Sequence, residues 1–156
     1  MLTDEQKQLR KGRIGASDVA AIMGLSLYRS AYDVWLEKTG KVDGNADNEA
    51  TLMGHDLEEV AIKYAERRLG PMFRQVFVPL INSPLASSLD ARIMASGLPV
   101  EAKTSGITGL LWGEWGDEGT EDVPDVYYIQ VQTQLLCTGA DLAYLSAILG
   151  GRGHVM

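Results

Sequence analysis

Cysteine is nearly absent from this sequence, in which Cys137 stands alone among 156 residues. One cysteine cannot form an internal disulfide, and it cannot supply the cysteine-rich ligand set of a structural zinc site. Cys137 follows two leucines, so it is predicted to be a small apolar side chain on a helix. The stability of the fold must therefore come from a hydrophobic core, which a chain of this length can build.

Long hydrophobic runs are also missing. No stretch approaches the ~20 apolar residues that a membrane-spanning helix requires. The first residues, MLTDEQKQLRKG, lack the apolar core of a signal peptide. These absences predict one domain over residues 1–156, in the cytoplasm and without membrane contact. Hydrophobic residues make up 46% of the chain and charged residues 22%, values that are typical of a globular domain.

The sequence has no excess of positive charge either. It has 14 Lys and Arg residues against 21 Asp and Glu residues, a net charge of -7. A nucleic-acid-binding surface is usually basic, but bound divalent cations reverse the field around acidic residues, so the net charge alone excludes nothing. A small basic cluster near the start is predicted either to face solvent or to contact phosphate. Its members are Lys7, Arg10, Lys11 and Arg13.

The first half of the chain predicts three helices. The first begins with Ser17 as its N-cap and ends at Gly24, and the second runs from Ser30 as N-cap to Gly40. In the second helix, an apolar stripe is expected on one face. The stripe contains Tyr32, Trp35 and Leu36.

A polar loop separates the second helix from a long third helix over residues 49–69, which Gly70 ends. At 100° per residue, the core-facing side of this helix is centred on Ala61. Glu58 lies at the edge of that side, whereas Glu59 lies on the opposite side, toward solvent. An acid at the edge of a core is costly unless it is paired or binds a metal, so Glu58 is a candidate functional residue.

After Pro71 the hydrophobic period changes from helical to alternating. Residues 73–80, 85–93 and 98–103 are predicted strands, and a tight connection at 95–97 joins the last two into a β-meander. A glycine-rich excursion over residues 106–126 is predicted to be mobile.

The C-terminal part of the chain predicts one more helix and one more strand. The helix begins at Tyr127 and Gly139 ends it, and the strand over residues 141–149 stops at Gly150 and Gly151. The element order predicts an α/β (α+β) domain, with a mixed β-sheet flanked by helices.

The segment PVEAKTS carries the chemistry. Glu101 and Lys103 share one face of their strand, and the hairpin brings Asp90 alongside Glu101. Two unpaired carboxylates repel there unless a divalent cation lies between them, and Mg²⁺ suits one or two carboxylates with phosphate and water. Lys103 could then hold the attacking water, and Glu58 could complete the ligand set. The alternative is a surface hairpin in which Glu101 and Lys103 form an exposed ion pair of less than ~1 kcal/mol.

Several segments in order resemble the YqaJ-like viral recombinase and lambda-exonuclease group of the PD-(D/E)XK nucleases. They are GASDVAAIMGLSLYRSAYDVWLEKTG, GHDLEEVA, SSLDARI, VEAKTS, EWGDEGTEDVPDVYYIQVQTQLLCTG and AYLSAILGG. The resemblance implies a restriction-endonuclease-like core. It also implies an Mg²⁺-dependent nuclease, with Mn²⁺ as a substitute, that digests double-stranded DNA from 5′ ends and leaves 3′ single strands for recombination.

Carried over residue by residue, the resemblance assigns the site. The catalytic set is Glu58, Asp90, Glu101, Lys103 and Gln130. The metal ligands are Glu58, Asp90, Glu101 and the carbonyl of Ala102, and the additional site residue is Tyr127. Arg10 and Ser17 are assigned to the 5′-phosphate, which agrees with the place of Ser17 near a helix N-terminus.

The resemblance also implies partners, and the sequence differs from the family pattern at two points. It implies a homotrimer, a single-strand annealing protein as partner, and a phage or prophage origin in a bacterial host. Ala91 replaces the glycine that usually follows the first metal-binding acid, and the strand and helices that the family has after the Gly-Gly turn are expected to be missing. Two other functions stay open: an endonuclease that cuts internally, and a non-catalytic DNA-binding or assembly protein with the same fold.

Overall fold

The computed structural model describes residues 9–10, 12–42, 49–106 and 111–156. Its elements form one mixed sheet with helices on both faces, as the sequence predicts. In chain order they are β1 (Ile14–Gly15), α1 (Ala16–Ile22), α2 (Ala31–Lys38), α3 (Glu49–Leu69), β2 (Met72–Pro79), β3 (Leu85–Ile93), β4 (Pro99–Ser105), a 3₁₀ turn (Trp112–Glu114), α4 (Asp125–Thr138), β5 (Tyr144–Leu149) and β6 (Arg152–Val155).

Strand β3 has partners on both of its edges. β2 pairs with it antiparallel along most of its length, which confirms the first hairpin of the predicted meander. The other edge is shared, because β1 lies parallel to β3 at Leu85 and Ala86, while β4 lies antiparallel to it at Ala91 and Arg92. β4 then pairs in parallel with β5, and β6 closes the sheet. On the Leu85 side of Ala91, β3 is therefore no longer paired with β4. The two strands diverge there, and the space between them is the fork.

Two apolar layers hold the helices on the sheet. On one face, α3 contributes Ala61, Ile62 and Ala65, which pack against the inward side chains of β2, β3 and β4. On the other face, α4 and the segment before it pack against β5. Because side chains alternate along a strand, Val100 and Ala102 of β4 face α3, whereas the residues between and after them face α4.

The bounds of several elements agree with the sequence pattern. α3 has the predicted range, and Ser30 caps α2, since its hydroxyl accepts a hydrogen bond from the N–H of Asp33 (3.2 Å). Gly139 ends α4 with a positive φ of 68°, a conformation that favours glycine. Cys137 is buried on α4, as predicted.

Other local predictions are wrong. The N-cap of α1 is Gly15 rather than Ser17, because Asp18 three residues later accepts the Gly15 N–H at 2.8 Å and fixes the helix start there. In α2, Tyr32 and Trp35 do share one face, with ring centroids 5.6 Å apart, but this face lies at the surface and the buried residue is Val34.

Strands β1 and β6 were not predicted. The two residues of β1 are too short for an alternating pattern. Arg152–Val155 carries three polar or glycine residues, yet it forms a strand beside β5. A strand therefore follows the Gly-Gly turn, where the sequence suggested none.

Part of the predicted excursion belongs to the core. Trp115 and Val123 pack against the β5 side chains, although the mobility of the segment stays a prediction. Lys7, Lys11 and parts of the two predicted loops (43–48 and 107–110) lie outside the described residues. Among the helices that the structure describes, none has the length and apolar content to cross a membrane.

Candidate active site

The candidate site lies in the fork between β3 and β4, on the face of the sheet that α4 covers. Glu101 and Lys103 project from β4 toward α4, which confirms that they share one face. Asp90 projects from β3, and its Oδ2 accepts a hydrogen bond from the Ala102 N–H at 2.8 Å. Through this bond the Asp90 side chain joins the two strands beyond the point where their backbone pairing ends.

Glu101 is the most enclosed acid of the site, with 2% of its surface exposed. Three donors hold its carboxylate. The Lys103 ammonium and the Gln130 amide donate to Oε1, and the Gln134 amide donates to Oε2. A buried carboxylate is stable only with such compensation, so this arrangement fixes Glu101 in one orientation.

The negative charge of Asp90 is compensated less well than that of Glu101. Its burial and the negative charge of Glu101 raise its pKa well above the usual range, although Lys103 opposes this shift. The N–H and C=O groups of one strand residue point to the same side, so the Ala102 carbonyl also faces Asp90. The fork therefore presents two carboxylates and one carbonyl oxygen to the same space.

Lys103 is the one cation in contact with Glu101 among the described residues. Burial alone would lower its pKa, but the charges of Glu101 and Asp90 outweigh burial and raise it. Its Nζ lies 5.4 Å from the centre of the Tyr127 ring, which stacks at an angle on Trp115 with centroids 5.5 Å apart. Burial raises the pKa of Tyr127, whose phenol stays neutral beside the lysine. Lys103 is thus a fixed, charged donor.

Glu58 and Glu59 have the different environments that the helical wheel predicted. The Glu58 side chain is 29% exposed and the Glu59 side chain 51%. Glu58 lies near the site, because its charge contributes to the raised pKa of Asp90, and its Oε2 is 3.6 Å from His55 Nδ1. Across the described part of the chain, no three Asp, Glu, His or Cys side chains converge as a ready ligand group. Glu58 is therefore adjacent to the acid pair, and its role as a metal ligand stays a prediction.

Arg10 lies on the same face as Asp90. It lines a small crevice with Gly15 and Ser88, and Ser88 projects from β3 on the same side as Asp90, two residues along. Ser17 is exposed in the first turn of α1, without the capping role expected of it. Arg10 therefore lies on the same face of the sheet as the acids, near the part of β3 that precedes Asp90.

Gln134 is the residue that the sequence did not single out. It is fully buried, and its amide nitrogen donates to Glu101 while its Oε1 has no hydrogen-bond partner. Helical spacing could have found it, because Gln130 and Gln134 are four residues apart and lie on the same side of α4.

The donor set at the fork fits a hard divalent cation. Mg²⁺ prefers oxygen ligands and binds proteins through one or two carboxylates, completing its shell with water and substrate phosphate. Asp90, Glu101 and the Ala102 carbonyl provide such oxygens. The two acids have one lysine between them, so a further positive charge would relieve their repulsion.

Comparison with known proteins identifies the family. A model of the YqaJ-like viral recombinase domain matches residues 5–141. The chain belongs to this family. The uncharacterized protein YqaJ of Bacillus subtilis (strain 168) is 33% identical over 162 residues, which cover 99% of this chain and 49% of YqaJ. The chain thus spans about half the length of this curated relative.

Solved structures show the same fold. The alkaline exonuclease LHK-Exo of Laribacter hongkongensis superimposes with a TM-score of 0.73 at 20% identity, over 99% of this chain and 80% of LHK-Exo. A phage-related exonuclease of Haemophilus somnus 129PT gives a TM-score of 0.64 at 19% identity, over 92% and 71% of the two chains. The family member described here therefore has a restriction-endonuclease-like core, as the resemblance implied.

Proposed function

We propose that this protein is a metal-dependent nuclease that hydrolyses phosphodiester bonds of DNA. The observation that carries the proposal is the acid pair Asp90 and Glu101, shielded together in the strand fork with Lys103 as their shared cation. A surface hairpin with an exposed ion pair would not enclose Glu101 so fully. Membership of a family described as viral recombinases supports DNA as the substrate.

The substrate we propose is the 5′ end of double-stranded DNA, digested to leave 3′ single strands for recombination. Two structural neighbours are described as exonucleases, and LHK-Exo has also been solved in complex with dAMP. Arg10 lines a crevice on the face of the sheet that carries Asp90, and we assign the terminal phosphate to Arg10 and to Ser17, which is exposed in α1. A homotrimer, a single-strand annealing protein and a cytoplasmic site of action are part of the same proposal, on family resemblance alone.

In the proposed mechanism, Asp90, Glu101 and the Ala102 carbonyl hold Mg²⁺, or Mn²⁺ in its place, and Glu58 adds negative charge beside them. A bound divalent cation supplies Lewis-acid activation of the phosphate. Lys103 orients the attacking water and offsets charge that develops on the phosphate oxygens. These roles need Glu101 fixed and Lys103 protonated, and both conditions follow from the observed contacts.

Gln130 and Tyr127 have supporting roles in this mechanism. Gln130 keeps one oxygen of Glu101 in place, so the carboxylate cannot rotate away from its ligand position. The Tyr127 ring lies beside the Lys103 ammonium and stacks at an angle on Trp115, and in this mechanism the two rings keep water from that side of the lysine. A drier site strengthens the interaction of Lys103 with a developing negative charge.

A nuclease assay tests the proposal. The full chain is incubated with 5′-phosphorylated linear duplex DNA and with covalently closed circular DNA, each with Mg²⁺ and with a chelator. We expect Mg²⁺-dependent loss of the linear DNA only, and no loss with Glu101→Gln. Cutting of the circle would replace the exonuclease by an endonuclease. DNA that stays intact under all conditions, while the chain still binds it, would favour the non-catalytic DNA-binding alternative.

A further inference from the structure

The loop between α1 and α2, residues 23–29, exposes an apolar surface next to the candidate site. Met23 is 57% exposed, Leu27 59% and Tyr28 76%, and Tyr28 is the most exposed aromatic side chain in the described part of the chain. Exposed apolar side chains in a contiguous group are typical of an interaction surface. This group therefore needs a functional explanation that single exposed residues do not.

The loop holds Tyr28 in place although the side chain is exposed. The Ser26 hydroxyl accepts hydrogen bonds from the N–H groups of Tyr28 and Arg29, each at 3.2 Å. The guanidinium of Arg29 is anchored in turn, at 3.0 Å from Asp18 and 2.7 Å from Glu37. A ring on a fixed backbone loses little conformational entropy when it binds a partner, which is how aromatic anchors at interfaces work.

Tyr28 lies near the candidate site. Helix α1, which leads into the loop, packs on α4, and Tyr127 lies in the first helical turns of α4 beside Lys103. Tyr28 is close enough to Tyr127 to contribute to its raised pKa. The exposed ring thus lies near Tyr127, the aromatic residue that contacts Lys103.

An open cleft of about 460 Å³ is lined in part by Tyr28. Such a volume lies within the range of small-ligand sites. Its lining is mixed: Ile22, Leu27 and Ala31 lie beside Tyr28, and Arg29 lines the cleft with its guanidinium already paired to two carboxylates. Asp33 also faces the cleft, and hydrogen bonds from Ser30 favour its charged form. Because Arg29 is already paired and Asp33 is negative, the cleft offers no free positive charge to a phosphate, whereas a flat, mostly apolar base can pack on the Tyr28 ring.

We propose that Tyr28 stacks on the base of the 5′-terminal nucleotide while the phosphate that follows it lies at Asp90 and Glu101. This inference rests on the proposed nuclease function and adds to it the group that holds the DNA end. Every base has a π-face, so stacking on tyrosine holds an end of any sequence. The loop would thus bind DNA ends through stacking and not through positive charge. This suits a chain whose net charge is -7.

The test compares DNA binding with and without the terminal base. Fluorescence anisotropy measures the affinity of the full chain, carrying Lys103→Ala so that the DNA stays intact, for two duplexes. One has a normal 5′-phosphorylated end, and the other has an abasic 5′-terminal nucleotide. Tyr28→Ala and Tyr28→Phe are each introduced into this Lys103→Ala chain. Tyr32→Ala is the matched control, because Tyr32 is also exposed but already stacks on Trp35.

We expect Tyr28→Ala to weaken binding of the normal end about 5- to 100-fold, the effect of losing one stacked base. Tyr28→Phe should keep the affinity because it keeps the ring. Binding of the abasic end should be weaker in the parent chain and unchanged by Tyr28→Ala.

Equal losses on both duplexes, no loss on either, or the same loss with Tyr32→Ala would overturn the inference. The nuclease assay above reports separately on the proposed function. Active digestion by a chain whose Tyr28→Ala variant binds normally would therefore reject the stacking role alone. A chain that leaves linear DNA intact in the nuclease assay and whose Lys103→Ala form binds neither duplex would reject both.

Discussion

Asp18 and Asp90 are both shielded acids, but their surroundings are opposite. The Asp18 carboxylate contacts two cations, Arg29 at 3.0 Å and Lys38 at 2.8 Å, and both of these also pair with Glu37. At the strand fork, Asp90 shares one cation, Lys103, with Glu101. The first cluster therefore balances two acids with two cations, whereas the second has two acids and one cation.

The pKa values follow this difference. Burial works against the charge of Asp18, but the hydrogen bonds from Lys38 and from the Gly15 N–H, with the charge of Arg29, lower its pKa. Burial and Glu101 raise the pKa of Asp90 instead. An acid whose charge is fully compensated stabilises a fold, whereas an under-compensated pair is suited to bind a further cation. The structure therefore separates a structural acid from a candidate catalytic one without reference to any relative.

The largest effect should come from removing the shared cation. Lys103→Ala takes away the proposed water-orienting donor and leaves both acids without their counter-charge, so nuclease activity should fall about 10³-fold. The release of acid-soluble nucleotides from linear duplex in Mg²⁺ measures this. Lys63→Ala is the control, since Lys63 is exposed and lies 3.7 Å from Glu59 on the outer side of α3. Activity at the parent rate in Lys103→Ala would contradict the mechanism.

Breaking the compensated cluster should lower stability rather than activity. Asp18→Ala leaves Lys38 and Arg29 without their buried partner and removes the acceptor for the Gly15 N–H. We expect a loss of about 3–5 kcal/mol in the free energy of unfolding at pH 7, measured by urea denaturation. A change below about 1 kcal/mol would mean that the cluster contributes little.

The pH dependence of that loss has a definite sign. The folded-state pKa of Asp18 lies below its unfolded value, so its stabilisation is present above the unfolded pKa, near 3.8, and is lost as the pH falls through the folded pKa. The difference in unfolding free energy between the parent chain and Asp18→Asn should therefore be full at pH 7 and shrink below pH 4. A difference that stayed constant down to pH 2.5 would contradict the charge-based explanation.

Gln134 offers a smaller perturbation of the fork. Gln134→Met keeps the volume but removes the donor to Glu101 Oε2, so the carboxylate should lose one of its three restraints. Loss of such an outer partner usually lowers metal affinity or activity 10- to 100-fold. We expect this range in kcat with KM for DNA nearly unchanged, and the same fold-loss in Mn²⁺ affinity by electron paramagnetic resonance. Normal Mn²⁺ binding would assign Gln134 to packing alone.

The smallest effect should have the opposite sign to that of Asp18. The folded-state pKa of Asp90 is raised, so its ionised form destabilises the metal-free chain once the pH exceeds the unfolded pKa. Asp90→Asn should therefore raise the free energy of unfolding at pH 7, in a chelator, by on the order of 1 kcal/mol, with no gain near pH 3. Mg²⁺ should stabilise the parent chain but not the variant. A loss of stability at pH 7 would show that Asp90 is compensated after all.

Much of the fold could be predicted because the informative signals are local. The Ser30 cap, the bounds of α3 and the meander through residues 73–103 follow from capping and periodicity. β1 and β6 could not be predicted, since two or four residues with mixed polarity become strands only because β3 and β5 offer them an edge. Ser17 was misplaced because Asp18 selects Gly15 as the cap, a choice that residue preference alone does not show.

The candidate site also has features that local sequence patterns predict and features that depend on tertiary packing. The adjacency of Asp90 and Glu101 was predictable from strand alternation and a short connection, and the helical wheel distinguished Glu58 from Glu59. The convergence of Gln130 and Gln134 on Glu101 depends on how α4 lies over the sheet, which no local pattern encodes. The same holds for the exposed surfaces of Tyr28 and Tyr32, which are set by the packing of α1 and α2.

The fork also has a consequence for the order in which the protein can become active. Asp90 and the Ala102 N–H are 12 residues apart, so a hairpin can bring the acids together early, whereas the amides of Gln130 and Gln134 come from 29 and 33 residues farther along the chain than Glu101. Contacts of long sequence separation form late in folding. During synthesis the two carboxylates can thus meet before their supporting helix has emerged from the ribosome. Competence for chemistry would then depend on the docking of α4 rather than on the formation of the hairpin.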